Sequence, residues 1–331
     1  MRDLRALPKV ELHVHLEGSM RASTVVELAE RYGVELPEGL REGRYGFRDF
    51  RRFIDEWLAG LACLRSAEDF HRIALELCED EAAQGVRYAE GSFSLPDHAE
   101  RFDDWDGPME GALEGFALGR ERFGITCRMF VDVVRGIDMA LSRRAMEVAA
   151  AYREAGVIGI GLGGEERFGP EPYAEIFREG LARGLHSIPH AGETHGPASI
   201  RGALEALGAE RIGHGIRVLD DPALVEEVRS RRIGLDVCPT SNAMTRSVPS
   251  LAEHPLGAML DAGLMCTLAS DDPSMFHSWL ADEYEVCRHE LGFDDVRIAT
   301  LARNGVRASF ADEATKAELE QGIAAWLASP E

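Results

Sequence analysis

The chain has 331 residues, 45% of them hydrophobic, and its 36 basic against 58 acidic residues give a formal net charge of −22. That size holds two ordinary domains or one α/β barrel with insertions, and the hydrophobic share is that of a globular protein. So strong a negative charge argues against a protein that grips nucleic-acid phosphates or anionic membranes, and suits one that handles small, neutral or weakly charged ligands.

Met1 to Lys9 is short and charged and has no secretory pattern. No run approaches the ~18 apolar residues of a membrane-spanning helix. Cys63, Cys78, Cys127, Cys238, Cys266 and Cys287 are widely spaced with no C-x-x-C pair, which points to core thiols in a reducing cytoplasm rather than a disulfide framework.

The first predicted strand is Lys9–Leu16. Others follow at Val86–Ser92, Ile125–Val134, Val157–Leu162, Leu185–His190, Arg211–His214, Ile233–Cys238 and Leu264–Ala269. Amphipathic helical stretches lie between most of them, among them Arg143–Ala155, Tyr173–Arg183, Ala198–Leu207 and Asp221–Arg231. Strand–helix alternation implies a parallel sheet, and eight such units imply a TIM (β/α)8 barrel rather than an open sheet. Residues 17–85 are too many for one crossover helix and predict a helical insertion over the barrel mouth; residues 279–329 predict extra C-terminal helices. No linker or repeat divides the chain, so residues 1–331 read as a single domain.

The chemistry is concentrated at predicted strand ends, where barrel enzymes build their sites. The first strand contains His13-Val14-His15, and strand alternation sends both imidazoles to one face, close enough to share an ion. The fifth strand ends in His190-Ala191-Gly192-Glu193, the sixth in Gly213-His214-Gly215, and the eighth in Ser270-Asp271-Asp272-Pro273. His190 alone could be a core histidine and Asp271 a helix cap. Together, four of the chain's 11 histidines at such ends point to a metal site. Three imidazoles and a carboxylate suit one Zn²⁺ or a similar divalent ion. A hydrolytic metal lowers the pKa of bound water, and the site then needs groups to manage protons, for which Glu193 and His214 are candidates.

These pieces resemble the adenosine deaminase family: H-V-H-L-E-G at 13–18, L-G-G-E at 162–165, H-A-G-E at 190–193, R-I-G-H-G at 211–215, V-C-P-T-S-N at 237–242 and S-D-D-P at 270–273. The resemblance runs over residues 8–310. It implies that His13, His15, His190 and Asp271 hold the metal, and that a protonated Glu193 donates to purine N1 as C6 is attacked. His214 would orient the hydroxide and steady its charge, and Asp271 could take its proton. Asp272 would pair with N7 and the Gly164 N–H would approach N3. The products would be the 6-oxo purine and ammonia. The P-C-x-x-C signature of the cytidine-type zinc deaminases is absent.

The family divides by substrate. Adenosine-acting members carry Asp where this chain has Glu17, the contact to the ribose 5′-hydroxyl. Adenine-acting members carry Glu there, but resemble D-S-S-E and I-D-H-G where this chain has G-G-E-E at 163–166 and I-G-H-G at 212–215. A third branch deaminates 6-aminodeoxyfutalosine of a menaquinone pathway, an adenine nucleoside with an aryl carboxylate beyond the 5′ position. The pieces L-G-G-E, H-A-G-E-T and A-S-D-D-P-S-M-F lean toward it. Arg41, Arg44, Arg48, Arg51 and Arg52 stand in the insertion, and Arg48 or Arg52 is a candidate partner for that carboxylate. Phe47, Phe50, Phe53 and Trp57 interleave with them at helical spacing, which favours ordinary packing. Ser241 and Asn242 fit either site support or a turn, and Tyr88, Glu90 and Ser92 receive no role. Competing readings are another metal-dependent hydrolase on the same barrel, cleaving an amide or ester, and a non-catalytic purine-binding protein.

Overall fold

Residues 1–46 and 50–330 are described by the structure, a computed structural model. Eight strands form in sequence order: β1 (Lys9–His15), β2 (Val86–Phe93), β3 (Thr126–Val134), β4 (Val157–Gly163), β5 (His186–Ala191), β6 (Arg211–His214), β7 (Gly234–Val237) and β8 (Met265–Leu268). Each pairs in parallel with the next. A bridge between Val14 and Asp271 brings the last strand's end back to β1. This is the predicted (β/α)8 barrel, and every predicted strand end falls within one residue of the observed one.

The β1–β2 connection carries α1 (Ala22–Tyr32), α2 (Glu38–Arg41), α3 (Phe50–Cys63) and α4 (Ala67–Ala83). Then come α5 (Leu95–Phe102), α6 (Asp106–Phe123), α7 (Met139–Ala151), α8 (Ala174–Ala182), α9 (Pro197–Ala206), α10 (Pro222–Arg231), α11 (Pro239–Met244) and α12 (Leu256–Asp261). After β8 follow α13 (Pro273–Phe276), α14 (Leu280–His289), α15 (Asp295–Ala308) and α16 (Glu313–Ala328). No helix among the described residues is long and apolar enough to cross a membrane.

The insertion covers the mouth only in part. α3 reaches over it, whereas α4 is an ordinary barrel helix on the flank. It begins with a capping box in which Ser66 and Asp69 satisfy each other's backbone N–H. It packs on α6 where Gly111, Gly115 and Gly119 let the backbones approach: a Cβ at Gly115 would stand 2.4 Å from the His71 carbonyl oxygen.

Beneath the mouth the barrel is filled by charged as well as apolar side chains. Arg211 is fully buried and ion-paired to Glu90 Oε2 at 2.7 Å and Asp236 Oδ2 at 2.6 Å, and it donates to the Leu12 carbonyl at 3.0 Å. One guanidinium thus ties β6 to β2, β7 and β1. Arg211→Met leaves two buried carboxylates without their cation. Urea unfolding is expected to show a loss of about 3–5 kcal/mol, and an unchanged midpoint would contradict this account.

Candidate active site

The strand ends deliver the predicted residues to one place. In β1, His13 and His15 project from alternate positions toward the interior, and Gly213 of β6 has no Cβ to obstruct them: one built there would stand 2.5 Å from His13 Cε1. His190 comes from the end of β5. His214 and Asp271, at the ends of β6 and β8, both hold left-handed backbone angles, φ 64° and 65°. Non-glycine residues take that conformation at a cost and concentrate where side-chain direction matters.

The tips of the cluster stand close together. Asp271 Oδ1 lies 3.4 Å from His13 Nε2 and 3.2 Å from His15 Nε2, and His15 Nε2 lies 3.3 Å from His190 Nε2. Ligands on a tetrahedral ion with bonds of about 2.0–2.1 Å are separated by about 3.3–3.4 Å, so these separations fit a divalent metal. His214 also approaches the cluster, with Nε2 4.0 Å from Asp271 Oδ2. Burial lowers His13 to about 4 and takes His190 well below the usual imidazole range. At Asp271 burial works against charge, but the His13 and His15 imidazoles hold it well below the usual carboxylate range. Neutral imidazoles and an ionised carboxylate are the states a metal requires. At His15 burial also opposes charge, yet the Asp272, Asp271 and Asp132 carboxylates raise it to about 10, so this imidazole gives up a proton when a metal binds.

Buried partners hold these side chains in place. Glu11 accepts from the His13 N–H at 3.2 Å and from Ser270 Oγ at 2.8 Å, linking β1 to the loop of Asp271. Ser241 Oγ donates to Asp271 Oδ2 at 2.6 Å. A relay fixes the tautomer of His214. The Leu256 N–H donates to His254 Nδ1 at 3.2 Å, which leaves His254 Nε2–H to donate to Asn242 Oδ1 at 3.2 Å. The Asn242 amide then donates to His214 Nδ1 at 3.2 Å, leaving the hydrogen of His214 on Nε2, facing the cavity. Glu166 accepts from the N–H groups of Gly192, Glu193, Thr194 and His195 and from the hydroxyls of Thr194 and Ser199. Against the upward push of burial, these donors hold its carboxyl below the usual range and clamp the segment that carries Glu193. Arg135 donates to the carbonyls of Leu162, Gly164 and His190, joining the ends of β4 and β5. Sequence reasoning left Asn242 open and missed Glu11, Arg135, Glu166 and His254. The left-over second Glu of G-G-E-E was the one available signal for Glu166.

Above the cluster opens a cavity of about 640 Å³, within the range of small-molecule sites, whose wall includes His15, Gly164, His190, Glu193, His214, Asp271 and Asp272. Glu193 Oε2 stands 3.8 Å from His214 Nε2, and Ser247 Oγ donates to Glu193 Oε1 at 3.1 Å. Burial raises the Glu193 carboxyl. Burial, and then the charge of neighbouring Asp271, raises Asp272 well above the usual range, and Asp272 Oδ1 is buried without a hydrogen-bond partner. Gly164 holds φ 84°.

Other expectations fare differently. Glu17 does not line this cavity: it is buried, with Oε1 accepting from the Ser94 N–H at 3.0 Å and paired to His98 Nε2 at 2.9 Å. Arg41, Arg44 and Arg52 also lie off the cavity wall, and Arg44 pairs with Glu42 at 3.0 Å. Arg48 and Phe47 fall outside the described residues. Among the described residues the arginine on the wall is Arg167, after β4. Phe53 and Trp57 pack on the core as expected, but also line the cavity; Phe53 stacks on Phe276 with ring centroids 5.5 Å apart, and Trp57 meets His15 edge-on at 6.1 Å. Below the site, Glu90 joins Arg211 and Ser92 donates to Asp132.

The sequence model of a family described as adenosine deaminase matches residues 8–326. The chain is 39% identical over 315 residues to an adenine deaminase of Streptomyces coelicolor, covering 94% of this chain and 92% of that protein. It is 40% identical over 343 residues to an aminodeoxyfutalosine deaminase of the same organism, covering 99% of this chain and 88% of that one. Its fold is similar to an amidohydrolase of Burkholderia ambifaria with bound Zn, at TM-score 0.91 and 28% identity over 98% of this chain and 91% of the other.

The cluster predicts metal-dependent stability. A divalent metal at 100 times its Kd is expected to raise unfolding stability by about 2.7 kcal/mol. His190→Ala is expected to abolish that rise and the bound ion, read by thermal melts and elemental analysis after dialysis. Full metal retention in the variant would remove His190 from the ligand set.

Proposed function

The chain belongs to the adenosine deaminase family, and from that premise we propose that it hydrolyses the exocyclic amine of a 6-aminopurine nucleoside to the 6-oxo product and ammonia. The observation that carries this reading is the convergence of the ligand cluster with two carboxyl groups of raised pKa, Glu193 and Asp272, on one cavity wall. A zinc or similar ion held by His13, His15, His190 and Asp271 would supply Lewis-acid activation of the attacking water.

The remaining work falls to the protein's own groups. Water adds to C6, and the ring must take a proton at N1 as C6 becomes tetrahedral. A neutral Glu193 has that proton to give, and its Oε2 stands beside His214. Protonated Asp272, with Oδ1 free of protein partners, donates to N7. The Gly164 N–H faces N3, where a side chain would stand between backbone and ring. His214 turns its Nε2–H toward the attacking oxygen and steadies the charge there. Asp271, its Oδ2 held by Ser241, is the acceptor for the proton the water loses. The amine leaves as ammonia with the proton that Asp271 took from water, and as C6 returns to planar the hydroxyl proton passes back to the Glu193 carboxylate.

Within the family, 6-aminodeoxyfutalosine is the favoured substrate and adenosine the next. The aromatic rim of Phe53, Trp57 and Phe276 offers a surface for an aryl group, and Arg167, paired here with Glu165 at 2.6 Å, is the cation that a substrate carboxylate would compete for at the mouth. Six buried thiols, none in a disulfide, fit a reducing cytoplasm.

Metal-loaded protein is expected to release ammonia from 6-aminodeoxyfutalosine with the highest kcat/KM in a panel that includes adenosine and adenine. Glu193→Gln is expected to lower kcat by about 10²–10⁴-fold with its metal retained. Failure to release ammonia from any member of the panel, with metal bound, would overturn the reading.

A further inference from the structure

One buried carboxylate on the cavity wall has no task in the reaction above. Asp132, near the end of β3, is 1% exposed. Its Oδ2 accepts from Ser92 Oγ and lies 3.9 Å from His15 Nδ1, whereas its Oδ1 is buried with no hydrogen-bond partner. An acceptor in that state costs free energy unless something supplies a donor. The fold nevertheless makes room for it. β4 reads Gly159-Ile160-Gly161-Leu162-Gly163, and a Cβ at Gly161 would stand 2.1 Å from Asp132 Oδ1. Glycine weakens a strand interior, so the room is kept at a cost.

The order of the strands says what lies opposite. Glu193 follows β5, Gly164 follows β4 and Asp272 follows β8; on the proposed reading these face N1, N3 and N7. Passing round the barrel from β5 through β4 and β3 to β8 therefore follows the purine edge from N1 through N3 and N9 to N7. The arc between β4 and β8 holds β3, β2 and β1 and lies on the N9 side, with β3 next to the group assigned to N3. N1, N3 and N7 are acceptors, so the donors that the base or its substituent offers on this side are at N9 itself or on the sugar attached there.

Resting on that reading, we propose that Asp132 is a specificity-determining residue: its Oδ1 accepts a hydrogen bond from the donor carried at N9, a ribose hydroxyl in a nucleoside or the N9–H of a free base. A site built to accept from a substrate hydroxyl or N–H rejects the analogue that lacks it, because its own polar group is then left unpaired.

The test compares wild type, Asp132→Ala and Asp132→Asn, each metal-loaded with the metal content measured. Calorimetry gives Kd for two product pairs, inosine with 2′,3′-dideoxyinosine and hypoxanthine with 9-methylhypoxanthine; ammonia release is followed on the matching 6-amino compounds. Wild type is expected to favour the donor-bearing member of one pair by about 10- to 100-fold, and the pair that discriminates identifies the donor. Asp132→Ala should bring that pair to near equality with its metal retained. Asp132→Asn, which keeps an acceptor oxygen, should restore part of the difference. No discrimination by wild type, discrimination that survives Asp132→Ala, or an equal loss on both members together with loss of metal would overturn the proposal. If binding discriminates through Asp132 but no ammonia appears, the deaminase reading falls and this one stands. If ammonia appears and Asp132→Ala discriminates as wild type does, the reverse holds.

Discussion

Asp271 serves the barrel and the site at once. Its backbone closes the ring: the His15 N–H donates to its carbonyl at 2.8 Å, and its own N–H donates to the His13 carbonyl at 3.0 Å. The same residue, at φ 65°, turns its carboxylate back over the histidines whose backbone it has just paired with. The separation between the two β1 histidines and their carboxylate partner is thereby fixed by sheet hydrogen bonds rather than by loop conformation. Lose that bridge, and the barrel's last seam and the ligand set come apart together.

The site gathers negative charge in a chain that already carries −22. Asp132, Glu193, Asp271 and Asp272 all border the cavity. Such a group is tolerable because its members are driven to different states. Asp271 is held ionised by imidazoles, Glu193 and Asp272 are pushed toward the acid form, and a bound cation would absorb the rest. Strained backbone at His214 and unpartnered oxygens on Asp132 and Asp272 are costs gathered at one place. Below them Arg211 ties β6 to β1, β2 and β7, the frame that carries a site tuned for chemistry.

Much of this was legible beforehand, for identifiable reasons. Apolar runs bounded by turn residues mark each strand, so the ends of β1 to β8 were readable to within a residue. Strand alternation put His13 and His15 on one face, and barrel topology put His190, Glu193, His214, Asp271 and Asp272 at the same mouth. The insertion was less readable, because helical periodicity does not say which helix lies over the mouth: α3 does, α4 does not. Phe53 and Trp57 have the spacing of packing residues and pack on the core, yet they also face the cavity.

What the sequence determined by itself was the set of chemical groups and the strand ends that bear them, since period-two alternation and the parallel barrel follow from local pattern. Only the tertiary structure decided who holds whom. Glu17 turns to His98 and Ser94 rather than lining the cavity; Glu166 clamps residues 192–195; His254 sets His214 through Asn242; and Asp132 keeps a free oxygen beside Gly161. Each of these is a meeting of buried polar groups far apart or oppositely placed along the chain. No local rule ranks such partners, because the choice is made by which donors and acceptors the closed barrel leaves unsatisfied.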